Sequence, residues 1–106
     1  MNIVSYIAQA TVNTSGAEPV GNDVVVLTGV AASTIVKSIK VSTTDACIAT
    51  VKYKNSSGTE VFSYKINLDD NGYVLLDSFD VINMGYTLVL NADSNTCRLK
   101  ADVVEN

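Results

Sequence analysis

The chain has 106 residues and a net charge of −4, and only 17% of its residues are charged, against roughly 25% in ordinary soluble domains. It contains no histidine and no tryptophan. That excludes an imidazole general base, a Ser-His or Cys-His nucleophile pair and an imidazole metal site. Valine, isoleucine and threonine number 16, 7 and 10, so nearly a third of the chain is β-branched, the class that suits strands.

The opening segment, residues 2–12, reads two ways. Val4, Tyr6, Ala8, Ala10 and Val12 alternate as in a strand, while Ile3 and Ile7 also fit a short helix. Residues 13–22 contain Gly16, Pro19 and Gly21 and read as a loop. Residues 23–28 form a short β run, and 29–33 are small enough for a turn. Residues 34–42 alternate, with Ile35, Ile39 and Val41 expected on one face.

The next pair of strands is the best defined. Residues 46–54 place Cys47, Ala49, Val51 and Tyr53 on one face; residues 60–68 do the same with Phe62, Tyr64, Ile66 and Leu68. Asn55-Ser56-Ser57-Gly58 between them has turn composition. Pairing Lys54 with Thr59 sets Val51 against Phe62, Ala49 against Tyr64 and Cys47 against Ile66, and a one-residue slip would break every apolar pair. Phe62→Ala is then expected to cost roughly 3–5 kcal/mol if the ring lies in the core.

Residues 68–72 read as the next turn, 73–76 and 80–82 as short strands, and 83–85 as a turn into a strand over 86–91. After a turn at 92–95, residues 96–104 put Cys97, Leu99, Ala101 and Val103 inward and Arg98, Lys100 and Asp102 outward. The regular spacing of turns predicts an all-β fold: a single antiparallel β-sandwich domain over residues 1–106, jelly-roll-like, with eight or nine strands and residues 1–22 as a candidate N-terminal arm.

Partners and compartment follow from what the chain lacks. No apolar run approaches the ~20 residues of a membrane span, and the start has no basic region followed by a long apolar one, so neither a membrane partner nor a signal peptide is expected. Without a signal peptide, the sequons at Asn13 and Asn55 read as plain loops. A reduced, buried state is the default for Cys47 and Cys97 in a cytosol, with a disulfide left open. Net negative charge disfavours nucleic acid. Residues 1–66 carry five basic and four acidic groups (+1), and residues 67–106 two basic and seven acidic (−5). Lys37, Lys40, Lys52, Lys54 and Lys65 share one central stretch. They read first as solvated strand faces, and alternatively as a basic surface meeting a neighbour's acidic end.

Two motifs invite a chemical reading. Asn67-x-Asp69-x-Asn71-Gly72 resembles a calcium loop, but position 12 of such a loop falls on Ser78 instead of a bidentate Glu. It is read as a hairpin turn. Asp69, Asp70, Asp77 and Asp80 could supply paired carboxylates, but turn chemistry and solubility explain them more simply. No catalytic, metal or cofactor site is expected, and the chain is not expected to be an enzyme. Of the five tyrosines, Tyr53 and Tyr64 belong to the core side, while Tyr6 and Tyr73 are candidate interface anchors.

One further signal is a sequence of strand and turn motifs. It comprises Ser33-Thr34-Ile35-Val36-Lys37-Ser38-Ile39-Lys40-Val41, Ala49-Thr50-Val51-Lys52-Tyr53, the Ser57-Gly58 turn, Asp70-Asn71-Gly72-Tyr73-Val74-Leu75-Leu76 and Asn83-Met84-Gly85-Tyr86-Thr87-Leu88. Over about residues 24–104 this pattern resembles small structural proteins of tailed bacteriophages: capsid-decoration, head-fibre or tail-accessory subunits. Met84 departs from the small or polar residue expected in that turn. The resemblance implies a β-sandwich virion protein without catalytic residues, made in the bacterial host cytoplasm. It implies assembly as a homo-oligomer, with a trimer favoured on this ground alone, and binding to the major capsid or other virion proteins. Tyr6, Tyr73, Lys37 and Lys40 are the candidate interface residues. Two rival readings remain: a carbohydrate-binding or adhesin module using Tyr73 or Tyr86, and a small enzyme using the acidic cluster.

Overall fold

The computed structural model describes residues 2–13, 16, 18–30, 34–77 and 81–105. Among these it is all-β, with eleven strands and no helix: β1 (Asn2–Gln9), β2 (Val12–Asn13), β3 (Val20–Gly21), β4 (Val24–Thr28), β5 (Thr34–Ser42), β6 (Cys47–Lys54), β7 (Glu60–Leu68), β8 (Tyr73–Asp77), β9 (Val81–Ile82), β10 (Thr87–Ala92) and β11 (Arg98–Glu105). They form three antiparallel sheets instead of the expected eight- or nine-stranded sandwich. The surplus over nine is the pair of two-residue strands β2 and β3, too short to show any alternation.

One large sheet runs β1-β11-β5-β8, with β9 also on β5; the other runs β4-β10-β6-β7; β2 and β3 make a small ribbon. Residues 2–12, ambiguous in sequence, resolve as a strand through Gln9. The inward Val4 and Tyr6 pack against the core, and Ala8 belongs to it. One hydrophobic cluster draws on both large sheets, with Val41, Leu99, Ala101 and Val103 from one and Ala49, Val51, Leu88 and Leu90 from the other. The alternating residues expected inward on 46–54 and 96–104 are those buried here.

Two expectations of register need correction. In β5, Thr34 and Val36 point inward with Ile39 and Val41, and Ile35 faces outward. The ladder to β11 jumps from Asp102↔Ser38 to Val103↔Val36, leaving Lys37 as an extra residue. Such a bulge reverses the parity of everything before it. In the β6–β7 hairpin, Val51 opposes Tyr64, Ala49 opposes Ile66 and Tyr53 opposes Phe62, two residues from the expected pairing. The two-residue slip keeps each apolar residue on its face. One residue of it is taken up at Val61, the extra residue between the Tyr53↔Phe62 and Lys54↔Glu60 pairs, and the other in the turn, where Lys54 meets Glu60 and not Thr59. The turn is held by the Asn55 side chain, which accepts from the backbone N–H groups of Ser57 and Thr59 at 3.0 Å each, and Gly58 supplies a left-handed φ of 84°.

The segment at 69–72 is not a hairpin. β7 pairs with β6 in one sheet and β8 with β5 in the other, so this turn carries the chain between sheets. Asn71 takes a positive φ of 55° and its N–H donates to the Thr44 carbonyl at 2.9 Å. The Asp70 carboxylate accepts from the Ala46 N–H at 2.7 Å. These bonds tie the crossover to the loop before β6. At the opposite end, Gly29 lies so close to the Asn83 carbonyl oxygen that a Cβ would sit 2.3 Å from it.

Candidate functional site

Two surface features stand out. The first is the outer face of the β1-β11-β5-β8 sheet. Strand pairing aligns Ile3 with Val104, Val104 with Ile35, and Ile35 with Val81. This makes an apolar row across four strands, with Ile3 80% and Val81 46% exposed. The bulge at Lys37 creates the row, because it turns Ile35 outward. The next row is polar. Asp102 accepts from Ser5 at 2.5 Å and from Ser38 at 3.3 Å, and these hydrogen bonds, the Ser5 one foremost, hold its carboxyl below the usual carboxylate range. Beyond it lie Ile7, Lys100, Lys40 and Leu75, with Ile7 71% and Leu75 62% exposed.

The four sequence-predicted interface residues all fall on this sheet, but not together. Tyr73 and Lys40 meet on its outer face, the Lys40 ammonium 5.1 Å over the exposed Tyr73 ring. Lys37 projects from the bulge. Tyr6 is half-buried on the inner side of β1, and its hydroxyl donates to the Glu105 carboxylate. That hydrogen bond keeps the phenol neutral and raises its pKa.

Two lysines of the basic central stretch, Lys52 and Lys54, are paired within the chain. Asp23 takes the Lys52 ammonium at 3.0 Å and the Lys54 ammonium at 2.6 Å, and the Asn91 amide donates to it at 2.8 Å. The hydrogen bond from Lys54 leads in holding the Asp23 carboxyl far below the usual range, against the opposing effect of burial. This hub spans β6 and β10 above Val89, which is buried although it lies on an outer face. Sequence reading missed Asp23. A signal existed: Lys52 and Lys54 are two apart in a strand, so they share a face and call for a counter-charge.

The second feature is a cleft of about 370 Å³ between the sheets, on the side where β7 and β8 are the edges. Its walls include Tyr53, Phe62, Tyr64, Leu76 and Ile82, and Asp77 is the charged group among its described lining residues. Tyr53 forms the back wall. Its ring packs against Phe62 and Tyr86, with centroids 5.2 and 5.4 Å away. Tyr64, expected on the core side, keeps that facing but is half exposed, because β7 ends its sheet.

The acidic residues are dispersed. Asp69 and Asp70 belong to the crossover turn, and Asp77 ends β8, roughly 13 Å along the strand from Tyr73. Asp80 and Ser78 lie outside the described residues. Among the described residues, no group of three or more His, Cys, Asp or Glu side chains is placed to hold a metal. Cys47 and Cys97 are free and buried. Burial foremost, with the neighbouring Cys47, pushes the Cys97 thiol up to about 12.

No protein-family model and no curated protein sequence matches the chain. Among solved structures, it is similar to a chain of one titled "Structure of infectious bursal disease virus Gx strain". The match covers 96% of this chain and 33% of that one, at 12% identity and a TM-score of 0.40. The present chain therefore spans about a third of that chain's length.

Proposed function

We propose that the chain is a virion structural protein of a tailed bacteriophage, an auxiliary capsid (decoration) or head/tail-accessory subunit. It self-assembles and binds the major capsid or other virion proteins, and it works by binding, not catalysis. It is made in the host cytoplasm and resides in the virion. The observation that carries this reading is the outer-face row of Ile3, Val104, Ile35 and Val81, since an aligned apolar strip on a sheet face marks a contact surface. The motif resemblance supplies the kind of partner.

The strand orders β1-β11-β5-β8 (with β9 added on β5) and β4-β10-β6-β7 support a jelly-roll sandwich of two facing sheets. That architecture serves viral capsid and lectin domains alike, and the choice of a virion partner comes from the motif resemblance. Co-sedimentation of the purified chain with heads and tails of the encoding phage tests the proposal. Pelleting with either is expected, and Val81→Asp should abolish it. A chain that remains in the supernatant would overturn the proposal.

A further inference from the structure

We infer that two copies of the chain join through their β1 strands, which pair antiparallel about a two-fold axis at Ser5. The contact deepens the proposed assembly role and rests on that reading for its biological setting. Its argument begins with the edges. The large sheets end at β1, β4 and β7, and at β8 with the two-residue β9 beside it on β5. Natural edges are guarded by charge, proline, bulges or shortness. β4 has five residues and a bulge at Val26. β7 has Glu60, Lys65 and the bulge at Val61. β8 has five residues and ends in Asp77. β1 has eight residues, no charge, no proline and an unbroken ladder to β11.

The sequence of that open edge is self-complementary. Asn2-Ile3-Val4-Ser5-Tyr6-Ile7-Ala8 reads apolar-apolar-Ser-apolar-apolar around Ser5. A two-fold axis normal to the sheet keeps inner faces with inner faces. It therefore pairs residues of the same parity. Centred on Ser5, it sets Ile3 against Ile7 of the second copy and Val4 against Tyr6, with Ser5 meeting itself. Ile3 and Ile7, 80% and 71% exposed in the single chain, then cover each other twice. Centring on Val4 places Ile3 against Ser5; centring on Tyr6 places Ile3 against Gln9 and Ser5 against Ile7. Centring on Ile3 or on Ile7 pairs that one isoleucine with itself and leaves the other without an isoleucine partner; only the Ser5 register gives both of them one. The joined strands make one continuous sheet across both copies and extend the outer apolar row of each with its partner's Ile7. The contact is two-fold, so it builds dimers, where the phage resemblance favours a trimer.

Purified chain alone tests the contact, with no virion present, so its failure is separate from a failure to bind particles. Ser5→Cys places two thiols opposite each other at the axis. Cα atoms of paired residues lie roughly 4.5–5.5 Å apart, within disulfide range. Mild oxidation with glutathione disulfide should form a covalent dimer, with two glutathione thiols released per bond. Ile3→Cys alone should not cross-link, because its copies are displaced by about 13 Å along the strands, whereas Ile3→Cys with Ile7→Cys should. In sedimentation, Ile3→Lys with Ile7→Lys should weaken the wild-type dimer at least tenfold. Ile3→Lys with Ile7→Glu should restore it, since Lys then meets Glu in this register alone. Circular dichroism confirms that each variant is folded. Cross-linking through Ile3→Cys alone, no cross-link through Ser5→Cys, or equal dimerisation of the two charge variants would overturn the inference.

Discussion

The Tyr53 hydroxyl donates to the Val81 carbonyl at 3.0 Å and so bonds the two large sheets to each other behind the cleft. The same oxygen accepts from the Asn83 N–H at 3.3 Å. Tyr53 is therefore both a core residue and a cross-sheet tie. Tyr53→Phe keeps the ring contacts and loses the bonds. It should cost about 1 kcal/mol in denaturant titration, and Tyr53→Ala should cost about 3 kcal/mol or more.

Phe62 stands at the mouth of the cleft and is only half-buried. Phe62→Ala should therefore cost about 2 kcal/mol, below the roughly 3–5 kcal/mol of a fully buried ring. Urea unfolding of the two variants side by side should rank Tyr53→Ala above Phe62→Ala.

Thr34 is fully buried, and its hydroxyl has no hydrogen-bond partner among the described residues. A buried hydroxyl without a partner costs free energy. Thr34→Val keeps the shape and removes the polar atom, so it should raise stability by about 1 kcal/mol. A loss of stability in the same measurement would show that the hydroxyl is satisfied.

Asp23 gives the fold an acid dependence. Its folded pKa is depressed, principally by the Lys54 hydrogen bond. Its contribution is thus present above the unfolded value of about 3.9 and is lost as pH falls through the folded value. Asp23→Asn should lower stability at pH 7 and flatten the decline between neutral and strongly acidic pH. Thermal melts across that range check both effects, and added salt should reduce the difference, because the pairs are partly exposed.

The two cysteines should be inert in the native chain. Cys97 is fully buried and its thiol is pushed up to about 12, so almost none is thiolate at pH 8. Alkylation should be slow in buffer and fast in denaturant, with two equivalents consumed.

Much of the sheet layout was legible because alternation reports faces. The inward residues of β6 and β11 follow from a period of two, and burial bears them out. Registers were less legible. A two-residue slip in the β6–β7 hairpin leaves every face unchanged, so periodicity cannot see it. The bulge at Lys37 has no compositional mark, and without it Ile35 is assigned to the wrong face. Because that bulge builds the outer apolar row, the candidate surface was hidden for the same reason. The Asp23 hub joins residues 29 and 31 positions apart, and the crossover at 69–72 depends on pairing with distant strands. Neither is a local property.

The central claim is that this chain is a component of a virion. Quantitative mass spectrometry of density-gradient-purified particles of the encoding phage tests it most directly. The account predicts the chain in the particle band, at a fixed ratio to the major capsid or tail subunits that survives a second gradient. Its absence from the band, with the chain recovered free in the lysate, would contradict it.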